Sequence, residues 1–251
     1  MKRLQDRLAL VTGASAGIGA ATARALASEG ARVLLAARRR ERLEALAAEL
    51  PGARAVELDV CDAAGTLAAV REAAEGATVD LAVLNAGMAR GIEPLQEGDP
   101  AEWSEVIDTN VKGVLHGLKA VLPGMVAARH GDLVFLGSVA GRWVYPGGSL
   151  YCATKAAVRS LYEGTRLDTF GSGVRCTTVD PGMVETDFSA VRFRGDEERA
   201  KKVYAGVDPL TPEDVADAVL YAVTRPPNVN VGEIVMWASA QASVTLCKRE
   251  E

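Results

Sequence analysis

The stretch LALVTGASAGIG, residues 8–19, decides the fold. Its first four residues are apolar and predict a short buried strand, and a helical pattern begins at its end. Between strand and helix lie three glycines with the spacing GxxxGxG, namely Gly13, Gly17 and Gly19. Glycines at such a junction permit a tight turn and let the backbone approach a pyrophosphate, which the helix N-terminus attracts. This context favours a dinucleotide-binding loop over the alternative, a glycine-rich turn without a ligand.

Short apolar runs alternate with helical patterns along the rest of the chain. The predicted strands cover residues 8–11, 32–36, 54–58, 81–84, 132–136, 174–179 and 233–236. The predicted helices cover residues 18–28, 40–49, 103–127 and 151–170, and one more begins at Thr211-Pro212. Strands that lack polar alternation are typical of a parallel sheet covered on both faces. We therefore expect an α/β fold, a Rossmann-type doubly wound parallel sheet of about seven strands, in a single domain spanning residues 1–251.

Composition excludes several other classes of protein. The 251 residues include 28 Lys and Arg against 33 Asp and Glu, a net charge of −5, which argues against a nucleic-acid partner. No apolar run approaches the roughly 18–20 residues of a membrane helix, and the N-terminal apolar stretch is too short for a signal peptide. Four cysteines without a CxxC pair predict reduced thiols in a cytoplasmic protein. Two histidines and no cysteine cluster predict no metal site, and a Ser-His-Asp hydrolase would have to use one of these two histidines.

Basic residues follow the second predicted strand where an NAD-binding fold carries an acid for the ribose 2′-hydroxyl. The residues here are Arg38, Arg39 and Arg40. Cations at a helix N-terminus oppose the helix dipole, a cost that bidentate contacts with a 2′-phosphate would offset. We therefore predict a preference for NADP(H), with Arg38 and Arg39 on the phosphate and Ser15 nearby. The alternative is a solvated basic cluster partly balanced by Glu41 and Glu44.

Four polar residues form a candidate catalytic set. Tyr151 and Lys155 are four apart on a predicted helix and share one face, Ser138 follows a buried strand, and Asn110 lies within a long helix. Hydride transfer to a carbonyl builds negative charge on oxygen, so an acid must protonate it. A free tyrosine is a poor acid near neutral pH, and a neighbouring lysine cation is expected to lower its pKa. Taken singly, each residue also suits an ordinary turn, core or surface position.

Together these motifs resemble the short-chain dehydrogenase/reductase family. The resemblance implies that Asn110, Ser138, Tyr151 and Lys155 form the catalytic tetrad, with Ser138 donating to the substrate oxygen, Lys155 binding the nicotinamide ribose and Asn110 holding a water. It also implies further cofactor contacts, by the adenine pair Asp59-Val60, the Asn85-Ala86-Gly87 turn and the Pro181-Gly182 segment. Leu84 departs from the family pattern, which usually has asparagine there. The implied cofactor-binding residues are Gly13, Ser15, Ala16, Gly17, Ile18, Gly19, Arg38, Arg39, Asp59, Val60, Asn85, Ala86, Gly87, Tyr151, Lys155, Pro181, Gly182, Val184 and Thr186.

Within that family the chain looks like the bacterial NADP-dependent 3-hydroxy acid dehydrogenases, which oxidise serine and L-allo-threonine. The shared segments include residues 108–113, 122–126, 145–148, 191–193 and 210–215. Residues 183–206 lie where the family has a substrate lid and carry five basic side chains, Arg192, Arg194, Arg199, Lys201 and Lys202. A basic lid suits an anionic small-molecule substrate, although charges interleaved with acids also suit a solvated helix. We expect Ser138, Tyr151 and Arg192 to bind substrate, with Arg192 as the carboxylate clamp and Arg142 as a weaker second candidate.

Two alternatives remain open for the activity. One is a ketoacyl or general carbonyl reductase of the same family, and the other is a non-catalytic NADP(H)-sensing protein. An intact tetrad argues against a sensor, which has no need of a proton donor. The predicted helix 103–127 carries a wide apolar stripe and the Tyr151 helix carries small residues, so both have faces free for a partner subunit. By resemblance we expect a homotetramer.

Overall fold

A seven-stranded parallel sheet forms the centre of the molecule in a computed structural model that describes residues 2–250. The strand order is β3-β2-β1-β4-β5-β6-β7, and every neighbouring pair is parallel. The strands are β1 Leu8–Thr12, β2 Arg32–Ala37, β3 Arg54–Glu57, β4 Leu81–Leu84, β5 Gly131–Leu136, β6 Val174–Pro181 and β7 Glu233–Met236. The chain is therefore a doubly wound α/β domain, and the predicted fold class is confirmed.

Helices cover both faces of this sheet. Their ranges are α1 Gly17–Ser28, α2 Arg40–Glu49, α3 Ala63–Ala74, α4 Pro100–Ile107, α5 Gly113–Ala128, α6 Ser149–Asp168, α7 Phe188–Arg192, α8 Glu197–Tyr204 and α9 Pro212–Val223. One hydrophobic cluster joins the sheet to α3, α5 and α6, and the other joins it to α1, α2 and α9. The cores on both faces explain why the strands lack polar alternation in sequence.

The structure adds three helices that the sequence patterns did not predict. The first is α3, which begins after Asp62, whose carboxylate accepts a hydrogen bond from Gly65 N at 3.0 Å. Half of its residues are alanine, so no clear apolar stripe marks it. The other two, α7 and α8, lie in the predicted lid, where short length hides any periodicity. Capping carboxylates, Asp62 for α3 and Asp196 for α8, mark the starts of two of these helices better than a hydrophobic pattern does.

The predicted helix 103–127 is longer than expected and is not uniform. It runs from Pro100 to Ala128 and contains one π-helical turn, Asp108–Lys112. Within residues 2–250 it is the one helix long and apolar enough to cross a membrane by length and composition alone. Its Val114, Leu118 and Met125 side chains lie in the hydrophobic core. The core helix of a folded domain can meet the same length and composition criterion as a membrane span.

The strand order reverses direction between β1 and β4. Strand β1 pairs with β2 on one side and with β4 on the other, so the connections that follow them leave toward opposite faces. In such sheets a crevice opens at the carboxyl ends of the strands, at the reversal point. The phosphate-loop candidate follows β1 and the Asn85-Ala86-Gly87 turn follows β4, so both lie at this crevice.

Candidate active site

A cavity of about 580 Å³ occupies the crevice at the carboxyl ends of the strands. Every residue predicted to contact the cofactor lines it, from the glycine loop through the Pro181-Gly182 segment to Thr186. Ser138 and Arg192 line the same cavity, whereas Asn110 and Arg142 do not. The structure therefore joins the predicted nucleotide groove and most of the predicted catalytic set in one space. Among residues 2–250, no group of three His, Cys, Asp or Glu could hold a metal ion.

The glycine loop is built by close backbone contacts. Gly13 and Gly17 have φ values of +68° and +51°, in the region that favours glycine. A Cβ on Gly19 would lie 2.3 Å from Gly13 O, so a side chain there would push helix α1 away from the loop. Thr12 Oγ1 accepts hydrogen bonds from the backbone N–H groups of Asn85 and Ala86, each at 3.0 Å. The loop is thereby tied to the turn after β4.

Arginines form the rim of the cavity beside the glycine loop. Arg39 Nη2 donates to Ser15 Oγ at 2.9 Å, and Arg38 lines the cavity beside Arg39. Burial lowers the pKa of Arg39, and repulsion from Arg42 lowers it further. Arg40, by contrast, is held by Glu44, with Nε 2.7 Å from Oε1. Two of the three predicted arginines therefore face the cavity, and the third is balanced by an acid as the alternative interpretation held.

Helix α6 carries Tyr151 and Lys155 one turn apart on the cavity wall. Lys155 is buried and its Nζ donates to Leu136 O at 2.7 Å. Ser138 Oγ donates to Pro181 O at 3.3 Å and accepts from Ala140 N at 3.1 Å, which caps a short 3₁₀ turn. These bonds tie the end of β5 to α6 and to the end of β6, so the three polar groups share one rigid junction.

The electrostatics of this junction differ from the sequence-based expectation. Burial lowers the pKa of Lys155 to about 8, and the Asp180 carboxylate acts in the opposite direction. Burial raises the pKa of Tyr151, whereas Arg192 and Ser138 lower it. Lys155 Nζ lies 5.9 Å from the Tyr151 ring centroid and donates to Leu136 O, so burial rather than the lysine sets the direction of the Tyr151 pKa.

Asn110 lies one layer behind the cavity wall. It is buried in the π-helical turn, where Oδ1 accepts from Met88 N at 2.8 Å and Nδ2 donates to Met88 O at 2.8 Å. Nδ2 also donates to Thr154 Oγ1 at 3.0 Å. Gly87 separates Asn110 from Lys155, because a Cβ there would lie 3.3 Å from Asn110 Oδ1 and 3.6 Å from Lys155 Nζ. In this arrangement Asn110 fixes the Met88 backbone beside the cavity.

Arg192 is the basic lid residue that reaches the cavity. Its Nη2 donates to Tyr145 Oη at 3.0 Å, and its Cζ lies 5.1 Å from the Tyr151 ring centroid. Arg194 pairs with Glu102 of α4, and Lys201 lies 3.6 Å from Glu198, so these two basic side chains have acidic partners, as the alternative of a solvated helix predicts.

Arg142 was the weaker candidate for a carboxylate clamp, and the structure corrects that prediction. Its Nε lies 2.7 Å from Asp180 Oδ2, and its Nη2 lies 2.5 Å from Glu233 Oε2. Two acidic partners therefore hold the guanidinium in a partly buried ion network behind the cavity wall.

Several cavity residues were not predicted. The aromatic side chains of Tyr145, Phe188 and Tyr204 line the cavity, together with Gln241 and Val244 from the C-terminal segment. Gln241 Oε1 accepts from Met183 N at 2.9 Å, which ties the C-terminal segment to the start of the lid. The three aromatic residues lie in or before the predicted lid, and the sequence shows them there. Gln241 and Val244 belong to no sequence motif.

Comparisons with known proteins agree with this architecture. A family model described as short chain dehydrogenase matches residues 7–197. The chain is 42% identical over 240 residues to the NADP-dependent 3-hydroxy acid dehydrogenase YdfG of Escherichia coli K12, covering 94% of this chain and 96% of that protein. The protein of that name from Salmonella typhi is 42% identical over 238 residues, with the same coverage. A solved structure, the closed form of serine dehydrogenase complexed with NADP+, has a TM-score of 0.90 and 40% identity, covering 97% of this chain and 100% of that one.

Proposed function

Because this chain belongs to the short-chain dehydrogenase family, we propose that it is an NADP(H)-dependent oxidoreductase acting on 3-hydroxy acids. The reaction transfers a hydride between the nicotinamide and the hydroxyl-bearing carbon of a 3-hydroxy acid, with serine, a primary alcohol, or L-allo-threonine, a secondary alcohol, as the substrate type. One observation carries the proposal: a single cavity joins the glycine loop and the Arg38–Arg39 rim to Ser138, Tyr151 and Lys155. The names of similar proteins supply the substrate class.

The residues present fit NADP(H). The glycine loop offers backbone close to the cavity and a helix N-terminus for the pyrophosphate, while Arg38 and Arg39 suit a 2′-phosphate. Asp59 and Val60 line the adenosine end, and the Asn85-Ala86-Gly87 turn lines the middle of the cavity. The cofactor, when bound, supplies or accepts the hydride. We assign the remaining contacts to Tyr151, Lys155, Pro181, Gly182, Val184 and Thr186.

The chain's own residues handle the proton and hold the substrate. In the reductive direction Tyr151 gives its phenolic proton to the developing alkoxide, and in the oxidative direction the phenolate takes the hydroxyl proton. Ser138 donates to the same substrate oxygen, which keeps the oxygen beside Tyr151. Lys155 holds the nicotinamide ribose and supplies positive charge below a pKa of about 8. Asn110 acts one layer back, by fixing the backbone of Met88.

Replacing Arg38 with aspartate is expected to weaken NADPH binding by about 10- to 100-fold, since charge-assisted hydrogen bonds of 1.5–3 kcal/mol are lost. NADH binding should change much less, because NADH has no 2′-phosphate. Fluorescence titration with each cofactor measures both dissociation constants. Arg40→Asp is the matched control, as Arg40 pairs with Glu44 and should leave the preference unaltered. An unchanged NADPH/NADH ratio in Arg38→Asp would remove Arg38 from the phosphate site.

The substrate end of the cavity supports an anionic ligand. Residues 183–206 form the lid, and from it Arg192 projects toward Tyr151 and Tyr145. A guanidinium can bind a carboxylate through two parallel hydrogen bonds, which would fix the acid group and leave the hydroxyl at Ser138 and Tyr151. The proposed substrate ligands are thus Ser138, Tyr151 and Arg192.

A substrate panel tests the function. We expect NADPH formation with serine and 3-hydroxybutyrate or 3-hydroxyisobutyrate, and little reduction of an acetoacetyl thioester. Preferred reduction of the thioester would favour the ketoacyl or general carbonyl reductase. Binding of NADPH without turnover of any compound would favour the NADP(H)-sensing protein. Among these, an oxidoreductase is supported by the polar set on the cavity wall, which a sensor does not need.

We propose a cytoplasmic homotetramer with neither a nucleic-acid nor a membrane partner. Helix α5 exposes Leu115 and Val126, with exposed fractions of 43% and 41%, and the outer face of α6 carries the exposed small residues Ala153 and Ala156. Two such faces can pack closely against the same faces of a second copy. Light scattering is expected to show four times the mass of one chain. A monomeric mass would contradict this assembly.

A further inference from the structure

We propose that Arg192 is an electrostatic partner of Tyr151 as well as a substrate ligand, and that its guanidinium stabilises the phenolate form of Tyr151. Arg192 Cζ lies 5.1 Å from the Tyr151 ring centroid and 5.2 Å from the Phe188 ring centroid. Those two rings are 5.5 Å apart, and Arg192 Nη2 donates to Tyr145 Oη at 3.0 Å. Phe188 and Tyr145 therefore hold one lid cation against the ring of Tyr151.

The guanidinium has room for both roles. Its Nη2 donates to Tyr145 Oη and its Cζ lies over the Tyr151 ring, whereas its Nε is buried without a hydrogen-bond partner among residues 2–250. A buried donor without a partner is costly, so this edge of the guanidinium suits an anion. The substrate-binding role rests on the proposed function. The effect on Tyr151 rests on the geometry of the chain alone.

The charged and titratable groups around Tyr151 make Arg192 the persistent cation. Lys155 and Cys152 face Tyr151 from α6, Tyr145 from the preceding loop and Arg192 from α7. Burial raises the pKa of Tyr151, Arg192 lowers it, and Tyr145 and Cys152 raise it. Burial lowers the pKa of Lys155 to about 8, so this lysine gives up its charge as the pH rises past that value. A guanidinium stays charged throughout this range.

The direction of the effect on catalysis follows from the proton transfer. In oxidation, the substrate O–H bond breaks and its proton bonds to the Tyr151 phenolate oxygen. The C–H bond electrons leave as hydride for the nicotinamide of NADP+, and a C=O bond forms. Only ionised Tyr151 accepts the proton, so kcat/KM for oxidation rises with pH as Tyr151 ionises. Removing the Arg192 charge makes ionisation harder and moves that rise to higher pH.

The test compares 3-hydroxybutyrate with 1,3-butanediol. The first carries a charged carboxylate at the end where the second carries a neutral hydroxymethyl group. With the neutral diol, Arg192→Met is expected to shift the rise in kcat/KM upward by roughly one pH unit or more. Arg192→Lys, which restores a cation, should recover part of the shift. A second readout needs no turnover: the tyrosinate absorbance that Tyr151 contributes, taken as the difference between each protein and its Tyr151→Phe counterpart, should appear at higher pH in Arg192→Met.

Arg199→Met is the matched control, because Arg199 Cζ lies 4.5 Å from the Phe193 ring centroid on the same lid but does not contact Tyr151. This variant should leave the pH profile of kcat/KM for the diol and the tyrosinate titration unchanged. A raised KM for 3-hydroxybutyrate with an unmoved pH profile for the diol would leave Arg192 as a clamp alone and overturn the proposal. Circular dichroism and thermal unfolding show whether each variant folds.

Failure of the proposed function gives a different result. If the wild-type protein oxidises neither compound, the 3-hydroxy acid assignment fails. The tyrosinate absorbance still shows whether Arg192 stabilises the Tyr151 phenolate. An equal tyrosinate titration in wild type and in both Arg192 variants would overturn it.

Discussion

Tyr151→Phe is expected to lower kcat for oxidation by about 10²- to 10⁴-fold, the usual contribution of a positioned acid or base. The substitution removes one hydroxyl and keeps the ring that packs 5.5 Å from Phe188 and lies under Arg192. The cavity wall therefore keeps its shape, and the dissociation constant for NADPH should stay within a few-fold. Loss of turnover with retained binding would assign the proton transfer to Tyr151.

The matched control for this experiment is Tyr162→Phe. Tyr162 lies on the same helix but is buried in the hydrophobic core, edge-on to Phe135 at 5.9 Å between ring centroids. Its hydroxyl does not line the cavity, so its loss should leave kcat unchanged. Steady-state rates with a 3-hydroxy acid and fluorescence titration with NADPH measure the two quantities. Retained activity in Tyr151→Phe would exclude Tyr151 as the proton-transfer residue.

Asp180→Ala is expected to lower the free energy of unfolding by about 3 kcal/mol or more, since removing one partner of a buried ion pair leaves the other charge uncompensated. The Asp180 side chain is 2% exposed and its Oδ2 lies 2.7 Å from Arg142 Nε. Oδ1 accepts from Thr178 Oγ1 at 2.6 Å. Arg142 keeps Glu233 as a partner, which limits the loss.

Glu44→Ala provides a comparison at the same distance. Glu44 Oε1 also lies 2.7 Å from an arginine Nε, that of Arg40, but the two side chains are 53% and 66% exposed. Exposed pairs contribute about 0–1 kcal/mol, so this variant should unfold close to wild type. Urea unfolding monitored by circular dichroism gives both free energies. Equal losses in the two variants would show that burial does not set the strength of the Arg142–Asp180 pair.

Features that depend on neighbouring residues were predictable from the sequence. The glycine loop follows β1 because its backbone requirements are local, and helix α2 ends at Glu49 because Pro51 lies just beyond. The parallel order followed from strand–helix alternation, since such connections have one preferred hand. The same rules also place Ser138, Tyr151 and Lys155 at one edge of the sheet.

Features that depend on distant side chains were not predictable. Five basic lid residues look alike in sequence, and only tertiary packing brings Arg192 to Tyr151 while Arg194 meets Glu102. Arg142 lies four residues after Ser138, yet its partners come from β6 and β7. The pKa direction of Tyr151 depends on how deeply the side chain is buried, which spacing along a helix does not show.

The π-helical turn at Asp108–Lys112 introduces a phase shift into the longest helix. On an ideal α-helix, residues eight apart diverge by roughly 80°, but a turn that absorbs one extra residue brings them within roughly 20°. The buried residues Val106 and Val114 thus fall on one line, and the exposed residues Ile107 and Leu115 fall on another. What looks in sequence like a single broad apolar stripe is two narrow parallel ones, of which the first is buried and the second faces outward.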